Sequence, residues 1–287
     1  MRRWLLKPHV GATLARAPAR VSGCQNREAP GRWPAQEVSD VQLHLFSTPG
    51  EPLLCDLVQA CRACLIDQED PVVAYLPATA VGELRMAFTM EAFRDVAVVR
   101  LIDLDQMEGT DIDAALGQAS LLYVPGGNTY RLRQRLEHQG LMGSLKRRVQ
   151  AGLPLAAFSA GTVLCGQDIL TTSDMNVCAT TPCGGLAFTR FNFHVHYPAV
   201  EGPERQVRDG RLKEYHAIRP HSVLALEDGA YLRVMGERLE LMAGRCWRFD
   251  PGQAALPSSE SWRIRKRSAW RFFLRLRRSL KPYAPTY

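Results

Sequence analysis

From residue 41 onward, short apolar runs alternate with longer amphipathic stretches. The runs at 41–46, 72–76, 96–102, 120–124 and 155–158 read as strands. The stretches at 52–66, 81–93, 112–118, 129–137 and 141–150 carry the three-to-four-residue apolar spacing of helices. Strands that are apolar on both faces and separated by helices predict an α/β fold. The expected architecture is a doubly wound, mostly parallel sheet with helices on both faces. The rhythm changes after residue 160. Runs at 222–226, 230–234, 238–241 and 245–249 are short and linked by turns, with Asp228-Gly229 as one hinge. They predict a small antiparallel C-terminal extension.

The two ends do not follow this pattern. Residues 1–39 are rich in Arg, Ala and Pro and are expected to form a disordered extension. The folded domain is placed at 40–250, and 251–287 is read as a linker and basic tail. Phe272, Leu276 and Leu280 lie at helical spacing among basic residues, so the tail is a candidate for contact with an anionic membrane or nucleic acid. Charge supports the division. Residues 261–287 hold nine Lys/Arg and no acid, and residues 1–39 hold seven against two acids. With a total of +7, the stretch between them is net −7. The core is therefore not expected to bind nucleic acid. Lys7, Pro8 and His9 interrupt the apolar start, so no secretory signal is expected. Eight cysteines in 287 residues are too few for a disulfide scaffold. Cys55, Cys61 and Cys64 fit helix packing better than a metal site. Reduced thiols and a cytoplasmic location are expected, with no metal or organic cofactor.

The candidate chemistry centres on Ser159, where the apolar run Leu153–Phe158 stops abruptly at a serine followed by Ala160 and Gly161. A strand that turns sharply into a helix at a serine is a nucleophile elbow, which pushes the hydroxyl out toward a ligand. A second strand end carries Gly126-Gly127-Asn128-Thr129. Its glycines let backbone N–H groups approach a ligand, and the helix start adds a positive dipole end. Gly126, Gly127 and Asn128, with the N–H of Ala160, are candidates for an oxyanion hole or substrate contact. A serine needs a base and an orienting acid. His194 and His196 follow the elbow, and on a regular strand both would face the same side. Asp168, Asp174 and Asp209 are all available as the acid.

Taken together and in order, these segments resemble peptidase E, the aspartyl dipeptidase family of serine peptidases on a class I glutamine amidotransferase-like fold. The resemblance spans roughly residues 43–249. It is carried by Ser47-Thr48-Pro49-Gly50, Val124-Pro125-Gly126-Gly127-Asn128-Thr129, Phe158-Ser159-Ala160-Gly161, Thr171-Thr172-Ser173-Asp174-Met175 and His196-Tyr197. The chain departs from that pattern at Ala157, where the family tends to have glycine, and at His194, where it usually has a small polar residue. The resemblance implies Ser159 as nucleophile, Asp174 as acid and His196 as base, with His194 as the alternative base. It also implies a small peptide substrate, a dipeptide with an N-terminal aspartate, cleaved through an acyl-enzyme. Arg190, Arg205 and Arg208 are the arginines put forward to meet the substrate's carboxylate. A cyanophycinase-like peptidase, another serine hydrolase on the same fold, or a non-catalytic binding protein are the alternatives. The sequence does not specify an oligomeric state.

Overall fold

Five short strands, β1 (Gln42–Phe46), β2 (Val72–Tyr75), β3 (Val98–Leu101), β4 (Leu121–Val124) and β5 (Leu155–Phe158), lie parallel in the order β1-β5-β4-β2-β3. They belong to a computed structural model that describes residues 41–48, 54–77, 85–253, 255–258 and 262–263. The helices between them are α1 (Leu54–Leu65), α2 (Met86–Phe93), α3 (Gly109–Gly117), α4 (Thr129–His138), α5 (Leu141–Gln150) and α6 (Ala160–Leu164). Strand β5 shows why the sheet needs cover on both sides. Leu155 and Ala157 pack into one apolar cluster with residues of α3, α4, α5 and α6. Ala156 and Phe158 point the other way, into a second cluster with Leu57, Cys61 and Leu65 of α1 and Phe93 of α2. Burying each large apolar side chain of this kind contributes about 1.5–3 kcal/mol. Cys61 is one of these packing residues, and among the described residues no His/Cys/Asp/Glu group is arranged to hold a metal.

The predicted antiparallel extension is present but divides between two sheets. A further strand, β6 (Asn192–Tyr197), is followed by helix α7 (Pro203–Ile218) and then by β7 (Val223–Glu227), β8 (Tyr231–Met235), β9 (Arg238–Ala243) and β10 (Cys246–Phe249). Strand β8 pairs antiparallel with β1, and β9 pairs with β8, extending the main sheet. Strands β6, β7 and β10 form a second sheet in which β6 and β7 run parallel. This sheet packs on the first through Phe193, Val195, Leu224 and Leu226. Its other face, with Val223 and Ala225, packs with Leu212 and Tyr215 of α7.

The expected linker is partly structured. Residues Leu256–Ser258 form β11 on β10, and Trp262–Arg263 form β12 on β9. The residues of the N-terminal extension, and the tail beyond 263, lie outside the described residues. No described helix is long and apolar enough to cross a membrane.

Candidate active site

The backbone at Ser159 has φ 48° and ψ −107°, a conformation that a non-glycine residue adopts only under constraint. The constraint is visible on both sides. The Ser159 N–H donates to the carbonyl of Phe46 at 3.0 Å, tying the turn to the end of β1. The next turn of chain begins α6, with Val163 N–H donating to the Ser159 carbonyl at 3.1 Å. Gly161 lets this helix press against β4, because a Cβ there would lie 2.7 Å from the Val124 carbonyl oxygen. The Gly126 loop also approaches closely, since a Cβ at Gly126 would meet the Phe158 ring at 3.0 Å and Ser159 Cβ at 3.2 Å. Ala160 is the first residue of α6, so its N–H belongs to the helix end that has no intrahelical acceptor. The elbow and the glycine loop predicted from sequence therefore meet.

The two histidines do not share a face. The pairing of β6 with β7 shifts register between His194 and Tyr197, and His196 has φ 56°. That break turns the His196 ring out of the strand alternation and toward the elbow. Ser159 Oγ lies 2.8 Å from His196 Nε2. On its other edge, His196 Nδ1 lies 2.8 Å from Asp228 Oδ1. A carboxylate can only accept, so Nδ1 carries the proton and Nε2 is left free to accept from the serine hydroxyl. Thr48 and Ser47, at the end of β1, complete the arrangement. Thr48 Oγ1 is 2.8 Å from His196 Nδ1 and donates a short hydrogen bond to Asp228 Oδ1. Ser47 Oγ accepts the His196 backbone N–H at 2.9 Å and lies 3.3 Å from Asp228 Oδ1. Burial alone would push the Asp228 carboxyl up. Hydrogen bonds from Thr48 and His196, the imidazole charge and the Ser47 hydroxyl outweigh it and hold the carboxyl below the usual carboxylate range.

His194 is directed elsewhere. It is 2% exposed, and its Nδ1–H donates to the Thr171 carbonyl at 2.6 Å. Its Nε2 is buried, and among the described residues nothing pairs with it. Burial pushes its pKa down to about 4, against the opposing pull of the Thr171 bond.

Asp174 needs correcting as the orienting acid, because the carboxylate on His196 is that of Asp228. Asp174 Oδ2 instead accepts from the Thr129 N–H at 2.7 Å, from Thr129 Oγ1 at 2.6 Å and from Thr172 Oγ1 at 3.0 Å. It thus places a negative charge at the N-terminus of α4, where the helix dipole favours one. Asn128 is also occupied structurally. Its Oδ1 caps α4 by accepting from Arg131 N–H at 3.0 Å, and its Nδ2 donates to the Met175 carbonyl at 3.0 Å. The 126–129 loop and the 171–175 segment are thereby fastened together. The other acids named from sequence are structural too: Asp168 accepts from the Tyr215 hydroxyl and Asp209 from the Tyr197 hydroxyl.

Sequence reasoning missed Asp228, Ser47 and Thr48 as members of the site. Their shared signal was position. Each lies within two residues of the end of a buried strand, at the same kind of strand end as Ser159 and the glycine loop, where open α/β sheets place ligands.

Comparison with known proteins shows the family of the chain. Residues 47–242 match the family model described as peptidase family S51. A Streptomyces coelicolor protein named peptidase E is 34% identical over 203 residues, covering 66% of this chain and 82% of that protein. A Drosophila melanogaster protein named "Probable alpha-aspartyl dipeptidase" is 37% identical over 139 residues, which is 47% of this chain and 58% of that protein. The alignment with the Drosophila protein thus spans less than two thirds of its length. Among solved structures, a peptidase from an acI-B1 Actinobacterium superposes with a TM-score of 0.60 at 13% identity, covering 78% of this chain and 97% of the other. A Listeria monocytogenes EGD-e protein gives 0.58 at 20% identity, covering 71% and 98%. At these identities the structures speak for the fold alone.

Proposed function

Because the chain belongs to peptidase family S51, we propose that it is a serine-type peptidase cleaving short peptides, dipeptides with an N-terminal aspartate, through an acyl-enzyme. The observation that carries this reading is the unbroken chain from Ser159 Oγ to His196 Nε2 and from His196 Nδ1 to Asp228 Oδ1, each link 2.8 Å long.

In the proposed reaction the Ser159 hydroxyl attacks the peptide carbonyl while His196 Nε2 takes its proton. Asp228, ionised and held by Thr48 and Ser47, keeps the imidazole in the tautomer that can accept. It also stabilises the imidazolium that forms. The backbone N–H groups of Gly127 and Ala160 receive the developing oxyanion, each contributing about 3 kcal/mol to lowering the barrier. His196 then gives its proton to the leaving amine. Water, activated by the same imidazole, attacks the ester and restores Ser159. No step calls on a metal or an organic cofactor.

The reading is tested with Asp-Leu and Ala-Leu as substrates for the wild type, Ser159→Ala and His196→Ala. Wild type is expected to cleave Asp-Leu in preference to Ala-Leu, and each variant is expected to lose about 10⁴-fold or more in kcat. Equal cleavage by wild type and Ser159→Ala would remove the peptidase reading. Equal rates on the two peptides would remove the aspartate preference.

A further inference from the structure

An anionic substrate needs a cation at a site carried by a stretch of net charge −7. The arginines put forward from sequence are engaged elsewhere. Arg205 is buried, with its guanidinium 4.0 Å from the Trp247 ring centroid and its Nε donating to the Tyr197 hydroxyl at 3.0 Å. Arg208 donates a short hydrogen bond to Ser173 Oγ and lies 3.5 Å from Glu204. Arg190 stands over Phe191 just before the start of β6, the end of that strand away from His196. Arg211 lines a cavity of about 400 Å³ walled by residues 170–175 and His194, a lining that does not include Ser159.

Arg85 differs from all of these. It ends the connection that leaves β2 at the carboxyl edge of the main sheet, the edge on which Ser159 and the Gly126 loop sit. Its guanidinium carbon is 5.3 Å from the centroid of the Phe158 ring. Phe158 is the residue before Ser159, and its ring packs on Gly126. Arg85, Phe158, Gly126 and Ser159 therefore follow one another in direct contact or direct sequence. Arg85 is exposed, and among the described residues no carboxylate pairs with it. The positive charge is close enough to act on the buried Tyr123 phenol. Burial and Tyr75 push that phenol up, and Arg85 works against them. Stacking on an aromatic face fixes a guanidinium without neutralising it, and its outer N–H groups stay free for the forked pairing that carboxylates favour.

We propose that Arg85 is a specificity residue of this site, binding a carboxylate of the peptide substrate beside Ser159. The inference rests on the dipeptidase reading. An aspartyl dipeptide offers two carboxylates, the side chain's and the C-terminal one, and the substrate set separates them.

The experiment measures KM and kcat of wild type, Arg85→Met and Arg85→Lys on Asp-Leu, Asn-Leu and Asp-Leu-amide. For Asp-Leu, Arg85→Met is expected to raise KM about 30-fold, the scale of a lost charge-assisted hydrogen bond, with kcat within about threefold. Arg85→Lys is expected to recover most of that loss. The penalty is expected to vanish on Asn-Leu if the side-chain carboxylate is bound, or on Asp-Leu-amide if the terminal one is. An equal loss on all three substrates, a fall in kcat alone, or no change would overturn the proposal. A second measurement does not depend on turnover: calorimetric binding of Asp-Leu to Ser159→Ala and to Ser159→Ala/Arg85→Met. The double variant is expected to bind about 30-fold more weakly. Equal binding, or no binding to either, overturns the role of Arg85. If wild type hydrolyses none of the peptides but the two proteins differ in binding, the peptidase reading falls and the carboxylate site stands.

Discussion

His194 and His196 are two residues apart and serve opposite ends. His196 is partly exposed and hydrogen-bonded on both edges, so its imidazole can receive a proton and be stabilised while it holds one. His194 is sealed in the interior, and protonating it would place an unpaired charge there. His44 is in a similar position, with burial and then Arg233 lowering its pKa to about 4. Both are neutral in the fold. The unfolded chain takes up these protons near pH 6.5, whereas the fold resists them down to about 4. Stability is therefore fully present above about pH 6.5 and is lost as pH falls toward 4, by about 3 kcal/mol for each histidine. Thermal melts between pH 7.5 and 4.5 are expected to show Tm falling through this window, with a shallower fall for His194→Gln. A flat wild-type profile would contradict the buried neutral state. At this scale Ser159 and His196 were legible in the sequence, because an abrupt serine after an apolar strand and a histidine at the matching family position are local signals. Asp228 was not. Its neighbour in the turn, Glu227, is a buried partner of Arg245 and Trp247, and nothing in Glu227-Asp228-Gly229 says which carboxylate faces an imidazole.

The elbow works as an element because β5, α6 and β4 are pressed together. Gly161 sits at the tightest point, so Gly161→Ala must displace either α6 or the Val124 carbonyl. Overpacking of this kind costs about 1–3 kcal/mol. Urea denaturation is expected to show that loss, and turnover is expected to fall further than stability does as the serine shifts. An unchanged midpoint and rate would mean that the elbow is looser than its contacts imply. The alternation of β1–β5 with their helices could be read from periodicity, since β2, β4 and β5 are uninterrupted apolar runs and β1 and β3 are broken only by Gln42, His44 and Arg100. The irregularity in β6 could not. A bulge leaves no mark in hydrophobic pattern, so strict alternation put both histidines on one face. Strands β11 and β12 were also missed, being only 3 and 2 residues long and paired to distant partners.

At the scale of the molecule, the site is a meeting of strand ends from two sheets. Strands β1, β4 and β5 bring Ser47-Thr48, the Gly126 loop and Ser159, while β6 and β7 bring His196 and Asp228. The α/β class and the main parallel sheet followed from sequence order. The division of the later strands between two sheets did not, because it depends on contacts across more than a hundred residues, such as β1 with β8. That division is also why the acid comes from the end of β7 and not from the 171–175 segment, which is fastened to α4. Asp228, not Asp174, is the carboxylate expected to activate Ser159 through His196. The rate at which a fluorophosphonate modifies Ser159 checks this, because it reads activation of the hydroxyl without a peptide needing to bind. Asp228→Asn is expected to slow this reaction by about 10²-fold or more, with Asp174→Asn within about threefold of wild type. A slow Asp174→Asn beside a normal Asp228→Asn would return the orienting role to Asp174.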